Sequence, residues 1–332
     1  MEYNYIDLFS GAGGMTLGFE NAGFKNVFSV EFDKYAAETY KYNFPNHKLV
    51  INNIENITNN EIKKIIQDKE IDVIVGGPPC QGFSLAGKYG RSFIEDPRNQ
   101  LFKEYLRFVS IIKPKIFIIE NVARLVSHNS GNTIEEIKSS IRYLGYEVKY
   151  KVLQTADYGI PQKRQRVIIV GYRNHEFNYP EKVNSIKTIR DAIGDLPILN
   201  SGESSSIPNH IAMKHSEKML FKMQFISDGG NRNEIPIEYR PKSGDARKYI
   251  KYNSQLPSIP ITGDMRKVFH YNQNRALTSR ELARIQTFPD NFIFKGTSIS
   301  IQQQIGNAVP PKLAELLAEQ VKISLNGVCV NE

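Results

Sequence analysis

Tyr5-Ile6-Asp7-Leu8-Phe9-Ser10-Gly11-Ala12-Gly13-Gly14 is an apolar run that ends in glycines and leads into the amphipathic stretch Met15 to Ala22. Read as strand, tight turn and helix, it opens a βαβ unit. Glycines there let the backbone turn sharply and approach a ligand, with a helix N-terminus beyond. Val27 to Glu31 reads as a second short strand that Glu31 ends. A carboxylate at that place can accept hydrogen bonds from both hydroxyls of a ribose. The neighbouring Phe32 can lie against an adenine face. A glycine turn with an acid about twenty residues on indicates an adenosine-type ligand, without separating NAD from S-adenosylmethionine.

The pattern repeats outward from this unit. Lys48 to Ile51 reads as a third strand, and Ile71 to Val75 and Lys115 to Ile119 are continuous apolar runs. Such runs suit strands covered on both faces. Between the strands lie Lys34 to Asn43, Asn60 to Gln67 and Gln100 to Ile112, the last with Leu101, Tyr105, Phe108 and Ile112 at helical spacing. This alternation predicts an α/β fold with a doubly wound, mostly parallel sheet. Tyr146 to Gln154 and Arg166 to Gly171 extend it, with a connection short enough for an antiparallel pair.

After about Arg173 periodicity fades, and Pro197, Pro208, Pro236, Pro241, Pro257 and Pro260 interrupt any long helix. Phe221, Phe225, Ile235, Tyr239, Tyr252 and Phe269 supply apolar mass for a second, smaller, loop-rich β domain. Helical periodicity returns at Thr278 to Thr287, with Thr278 as cap, and again after Pro310-Pro311, where proline suits a helix start.

The net charge of +8 favours polyanions, nucleic acid first. Two cysteines in 332 residues argue against a disulfide framework and for a reducing compartment. No secretory signal is visible, and no apolar run approaches the ~20 residues that span a bilayer. These features predict a cytoplasmic protein that holds no membrane. Cys80 lies in Gly76-Gly77-Pro78-Pro79-Cys80-Gln81-Gly82-Phe83-Ser84, directly after a buried strand and on a stiff turn. That placement makes it a candidate nucleophile, although most lone cysteines are small buried hydrophobes.

Further elements fall at the carboxyl ends of strands, where a doubly wound sheet puts its active site. They are Glu120-Asn121-Val122, Gln162-x-Arg164-x-Arg166 and Gly306-Asn307-Ala308-Val309-Pro310, and Arg280-Glu281-x-Ala283-Arg284-x-Gln286-x-Phe288-Pro289 lies between the last two in the chain. With Phe9-Ser10-Gly11-Ala12-Gly13-Gly14 and Pro78-Pro79-Cys80-Gln81 they run in order from Asp7 to Pro311. In these elements the chain resembles the bacterial DNA (cytosine-5)-methyltransferases.

The resemblance implies two lobes with duplex DNA between them. It implies a discontinuous catalytic and cofactor domain, 1–177 with 300–332, and a target-recognition domain and hinge over 178–299. It implies S-adenosylmethionine as methyl donor, S-adenosylhomocysteine as product, and no metal. Cys80 becomes the nucleophile toward C6 of a flipped cytosine. Glu120 engages N3 and the exocyclic amine, and Arg164 and Arg166 face the same pocket. Phe9, Ser10, Gly11, Gly13, Gly14, Glu31, Phe32, Pro78, Asn307, Ala308 and Val309 become cofactor contacts. Where the family has an Asp for the adenine amine, this chain reads Asn52-Asn53-Ile54. The Asn53 carbonyl can accept that bond without the charge, and Ile54 contributes backbone or packing.

Gln81, Ser84, Lys88 and Arg91 fall in a loop suited to closing over DNA. Arg232, Arg240, Arg247, Lys248, Arg266 and Lys267 are the candidate DNA contacts of the second domain. The expected partners are double-stranded DNA and a cognate restriction endonuclease that acts on the same site without direct contact, the enzyme itself being a monomer. Three other readings compete: the same chemistry on tRNA, a catalytically silent DNA-binding regulator, and a nicotinamide-dependent oxidoreductase. The long variable region favours DNA over tRNA. The intact set of Cys80, Glu120 and Arg164 opposes the regulator, and the oxidoreductase leaves Cys80 and Glu120 unexplained.

Overall fold

In the computed structural model, which describes residues 2–67, 69–79, 99–241 and 248–327, strands and helices alternate along the first half of the chain. The order is β1 (Asn4–Leu8), α1 (Gly14–Asn21), β2 (Lys25–Glu31), α2 (Lys34–Asn43), β3 (Leu49–Ile51), α3 (Asn59–Ile66), β4 (Val73–Gly76) and α4 (Gln100–Ile112). Then follow β5 (Ile116–Val122), α5 (Asn132–Tyr143), β6 (Glu147–Gln154) and β7 (Gln165–Tyr172). Local chemistry sets several of these boundaries. The Asp33 carboxylate caps α2 by accepting from the Tyr35 and Ala36 amides, and Thr58 with Glu61 forms a capping box on α3. Lys113 ends α4 in the left-handed region, directly before Pro114.

The seven strands form one sheet of order β3-β2-β1-β4-β5-β7-β6. All neighbours are parallel except β7, which runs antiparallel to both β5 and β6. The chain winds outward from β1 to β3 and then crosses back to β4, so direction reverses between β1 and β4. In open α/β sheets ligands bind outside the strand carboxyl ends at such a reversal.

Alternation along the strands separates two faces. Ile6, Leu8, Phe28, Val30, Ile74, Phe117, Ile119, Val167 and Ile169 bury into one core with Ile62 of α3, Phe102, Tyr105 and Phe108 of α4, and Ile134, Ile137 and Ile141 of α5. Tyr5, Asp7 and Ser29 point the other way, toward α1 and α2. There Tyr5 meets Phe19, Asp7 meets Thr16, and Ser29 meets Tyr40. A last helix, α10 (Pro311–Leu325), lies on α1 so closely that a Cβ on Gly18 would come within 2.6 Å of the Pro311 carbonyl. Filling that space costs about 1–3 kcal/mol in a close-packed core.

Packing divides the chain into two units. The first comprises Met1–Gln154, Gln165–Glu181 and Pro311–Glu332, the second Thr155–Arg164 and Lys182–Pro310. These junctions differ from boundaries at 177/178 and 299/300, because 155–164 and the helix Ser298–Asn307 pack within the second unit. The second unit is loop-rich. It holds α6 (Ile189–Ile193), α7 (Glu217–Gln224), α8 (Ser279–Ile285) and α9 (Ser298–Asn307). Its strands among the described residues are the parallel pair β8 (Ile250–Lys251) and β9 (Val268–Phe269). A small core of Met223, Ile226, Ile235, Phe269 and Ala276 sits beside them. No helix of the described residues is long and apolar enough to cross a membrane.

Candidate active site and cofactor edge

Sheet register brings the motif residues of the first unit to one edge. Leu8 pairs with Val30 and with Gly76, Gly76 pairs with Ile119, and Glu31 pairs with Ile51. The residues just beyond, Phe9, Phe32, Asn52, Gly77 and Glu120, therefore border the same edge. β7 runs the opposite way, so its first residues reach this edge too.

The glycine turn is held by backbone geometry. Phe9, Gly11 and Gly13 all have positive φ, and a Cβ on Gly13 would lie 2.5 Å from the Phe44 ring. Gly11 differs, since nothing lies within 4 Å of where its Cβ would sit. Its amide donates to Glu31 Oε2 at 2.7 Å, while Glu31 Oε1 accepts from the Phe32 and Asp33 amides at 2.9 and 2.7 Å. Burial raises the Glu31 carboxyl and these three bonds oppose the rise, leaving it above the usual range. Oε2, with one bond, keeps lone-pair capacity for a further donor, whereas Oε1 already accepts two. Phe32 is 67% exposed, an uncovered aromatic face beside an open backbone cradle. Ser10 is buried and its amide donates to the Val30 carbonyl at 3.0 Å. Gly14 starts α1.

Across β2 lies the Asn53 segment. The Asn52 amide donates to the Glu31 carbonyl at 3.1 Å. Asn53 is exposed; its Oδ1 accepts from the Glu55 amide at 3.2 Å and its Nδ2 donates to Glu55 Oε2 at 2.8 Å. One Oδ1 lone pair remains for an incoming amine. Ile54 is buried in the core under α4, a packing position. These residues fit an adenosyl ligand: a cradle, an acid for ribose, an aromatic face and an amide carbonyl.

At the centre of the edge, Asn121 Nδ2 donates to the Pro78 carbonyl at 2.9 Å, fixing the start of the Pro-Pro turn. Glu120 faces Ile168 across the antiparallel pair and Arg166 faces Val122. The two are diagonal neighbours on one face of the sheet, the distance at which long side chains meet. Arg166 Nε approaches Glu120 Oε1 at 2.8 Å. Glu120 Oε2 lies 3.2 Å from where a Cβ on Gly77 would be, so it borders the turn that leads to Cys80. Cys80, Gln81, Ser84, Lys88, Arg91 and Arg247 lie outside the described residues.

Within the second unit, Arg164 and Gln286 gather the end of α9. Arg164 is 2% exposed and donates through Nη1 to the Gly306 carbonyl at 2.6 Å. Gln286 Nε2 donates to the Ile305 carbonyl at 2.6 Å, and its Oε1 accepts from Gln162 Nε2 at 2.9 Å. The last carbonyls of a helix have no partner within it and carry negative charge, so a buried cation and an amide suit them. They fix the turn of Asn307, Ala308 and Val309, of which Asn307 is exposed and Val309 buried.

The candidate DNA contacts of this unit are engaged locally. Arg240 donates to the carbonyls of Asn233 and Ile235, at 2.5 Å to the former. Lys248 and Arg266 both pair with Asp264, and the Lys267 ammonium lies 5.1 Å from the Tyr249 ring centroid. Arg232 opens a short 3-10 turn capped by Asn231. Among the described residues no group of three or more His, Cys, Asp or Glu is arranged to hold a metal.

The model of the family described as C-5 cytosine-specific DNA methylase matches residues 3–323. The chain belongs to this family. It is 54% identical over 323 residues to the Type II methyltransferase M1.HphI of Haemophilus parahaemolyticus, covering 97% of this chain and 87% of that one. It is 34% identical to the Type II methyltransferase M.DdeI of Desulfomicrobium norvegicum over 96% of this chain and 88% of that one. A solved E. coli structure, described as a prophage-encoded DNA modification methyltransferase, superposes with a TM-score of 0.81 at 27% identity, covering 98% of this chain and all of that one. The S. pombe Dnmt2 methyltransferase superposes at 0.68 with 19% identity over 98% of this chain and all of that one, a likeness of fold alone. The enzyme is thus a DNA cytosine-5 methyltransferase on the seven-stranded fold of S-adenosylmethionine-dependent methyltransferases.

Sequence reasoning missed three groups at this site. The motif Glu120-Asn121-Val122 carries no sign that Asn121 holds Pro78. Thr16 and Tyr40 line a buried polar face behind the glycine turn, and only the helical period of α1 and α2 hints at them. Arg107 of α4 carries no motif.

Proposed function

We propose that this methyltransferase transfers the methyl group of S-adenosylmethionine to C5 of a cytosine flipped from a specific site in duplex DNA, through a covalent bond between Cys80 and C6. The observation that carries the reading is the Arg166–Glu120 pair beside Gly77, three residues before Cys80. Arg166 fixes one carboxylate oxygen and leaves the other facing the turn. Glu120 then meets cytosine N3 and the exocyclic amine, which distinguishes cytosine from thymine and draws electron density from C6. The Cys80 thiolate forms the S–C6 bond, and the displaced electron pair makes C5 nucleophilic. The cofactor supplies an electrophilic methyl group. After transfer the C5 proton leaves, the S–C6 bond breaks and the thiolate returns.

Glu31 holds the ribose, Phe32 and Asn53 the adenine, and Phe9, Ser10, Gly11, Gly13, Gly14 and Pro78 the rest of the ligand's wall, with Ile54 packed behind Asn53. Arg164 acts on Asn307, Ala308 and Val309 by fixing their turn, as well as on the base. The target atom is inside a duplex, so the base must leave the stack. The second unit reads the site, and Gln81, Ser84, Lys88, Arg91 and Arg247 join it in contacting DNA. The enzyme works as a cytoplasmic monomer and protects host DNA from a restriction endonuclease of the same specificity, a role consistent with the Type II names of its relatives.

Bisulfite sequencing of DNA from a host expressing the chain tests activity, position and recognition sequence together. Methyl label in tRNA alone would sink the DNA reading. A duplex with 5-fluorocytosine at the mapped position should trap wild-type protein covalently, because fluorine blocks the final proton loss. Cys80→Ala should neither trap nor methylate, while still binding the duplex.

A further inference from the structure

α4 is clamped to the sheet, with Phe102, Tyr105, Phe108 and Val109 buried and the Tyr105 hydroxyl 2.8 Å from the Ile118 carbonyl. One residue of this helix reaches away from the core it covers. Arg107 donates through Nη2 to the carbonyls of Ile54 and Ile57 at 3.1 and 2.9 Å, and through Nη1 to Asn59 Oδ1 at 2.6 Å. Its Nε meets Glu104 Oε2 at 2.7 Å, and Gln100 Nε2 meets Glu104 Oε1 at 3.3 Å. The guanidinium therefore ties the turn that follows Asn53 to a rigid helix.

Ile54 and Ile57 of that turn are buried in the core, and Arg107 adds the side-chain bonds to their carbonyls. β3 is three residues long, lies at the sheet edge and, among the described residues, pairs with β2 alone. Beyond it the chain makes a single 3-10 turn, Ile54–Asn56, before α3. A planar fork with donors in fixed directions suits several separate acceptors, which a lysine's single nitrogen cannot span.

We propose that Arg107 is a positioning residue for the adenine end of the cofactor: it sets the place of the Asn53 carbonyl, and so the enzyme's preference for an adenine over a base lacking the 6-amino group. The inference rests on the cofactor reading above and assigns Arg107 no contact with the ligand. Glu104 holds the guanidinium's orientation from the helix side.

The test is a binding cycle by calorimetry, with no turnover required. The ligands are S-adenosylhomocysteine and S-inosylhomocysteine, which differ by an amine replaced by a carbonyl. Wild type should bind the adenosyl ligand roughly tenfold tighter, since a lost hydrogen bond and an unpaired acceptor are of that order. Arg107→Gln should weaken the adenosyl ligand several-fold, leave the inosyl ligand nearly unchanged, and so erase most of the preference. Arg107→Lys should retain part of it, and far-UV circular dichroism identifies any variant that fails to fold. If Arg107→Gln does not fold, the lysine variant alone decides.

Equal weakening of both ligands would reduce Arg107 to a fold support and overturn the proposal. Unchanged binding of both would overturn it as well. Wild type that binds both ligands equally would remove the amine contact and the proposal with it, leaving the cofactor site intact. Wild type that binds neither would bring down the cofactor reading itself.

Discussion

Asp7 shows what the glycine turn rests on. It is buried on the face of β1 toward α1, and Thr16 Oγ1 donates to it at 2.6 Å. Thr16 also lies 3.4 Å from the Tyr40 hydroxyl, which shares a 2.7 Å bond with Ser29. Burial pushes the Asp7 carboxyl up to about 7; the Glu31 charge adds to the rise and the Thr16 bond opposes it. Between its ordinary value of 3.8 and about 7, the folded chain keeps a proton that the unfolded chain has lost. Stability therefore declines as pH rises through that window. Asp7→Asn keeps the Thr16 bond and removes the ionisation. Its stability relative to wild type should rise by on the order of a few kcal/mol between about pH 4 and pH 8. Urea unfolding midpoints across that range measure it, and parallel curves for the two proteins would rule the effect out. The residue types at the edge were legible in the sequence, from Glu31 and Phe32 to Glu120 and Arg166. Their pairing was not, because the Glu120–Arg166 diagonal depends on a register between β5 and β7 that no local pattern records.

At the scale of elements, legibility followed burial pattern. Lys34–Asn43 and Gln100–Ile112 occupy the residues that their periodicity predicts. α5 has Ile134, Ile137 and Ile141 at helical spacing but no start signal in the sequence, since it begins behind left-handed Asn129, Ser130 and Gly131 rather than a capping side chain. α8 was legible through Thr278 as cap, and the structure adds Glu281 as the other half of its capping box. Its second task was hidden. Glu281 is buried and takes both guanidinium nitrogens of buried Arg275, at 2.8 and 2.6 Å, with His210 and His270 each 3.6 Å away. Burial would raise the Glu281 carboxyl, but Arg275, with the two histidines, holds it down at about 2, while burial pushes His270 down to about 4. Both groups resist protonation when folded and accept it when unfolded. The second unit should lose stability as pH falls, first below about 6.5 through His270 and then below about 4.5 through Glu281. Glu281→Gln strands the Arg275 charge at about 3–5 kcal/mol. Circular dichroism melts at descending pH should show the variant already destabilised at neutrality and less sensitive to acid below 4.5. A variant as stable as wild type would mean that Arg275 finds another anion or water.

For the whole molecule, charge is the property that the sequence announced and the structure redistributed. The chain carries a net +8, which favours a polyanion, yet cations singled out as DNA contacts in the second unit are already occupied. Lys248 and Arg266 converge on Asp264 at 2.5 and 2.9 Å, and these bonds hold that carboxyl well below its ordinary range. If the two meet phosphate, it must compete with Asp264 for both, and the acid then limits how many cations reach DNA. Each neutralised phosphate steepens the dependence of log affinity on log salt by about 0.9. Asp264→Asn leaves a neutral partner and frees two positive side chains. It should tighten binding to a non-cognate duplex severalfold at roughly 0.1 M salt and steepen the slope by up to about 2. The gap between cognate and non-cognate duplexes should narrow, since phosphate contacts add affinity to every sequence alike. Fluorescence anisotropy across a salt series reads both quantities. An unchanged slope would mean that Lys248 and Arg266 never meet phosphate, and the ion triad would then be a brace for the loop between β8 and β9 rather than a regulator of DNA affinity.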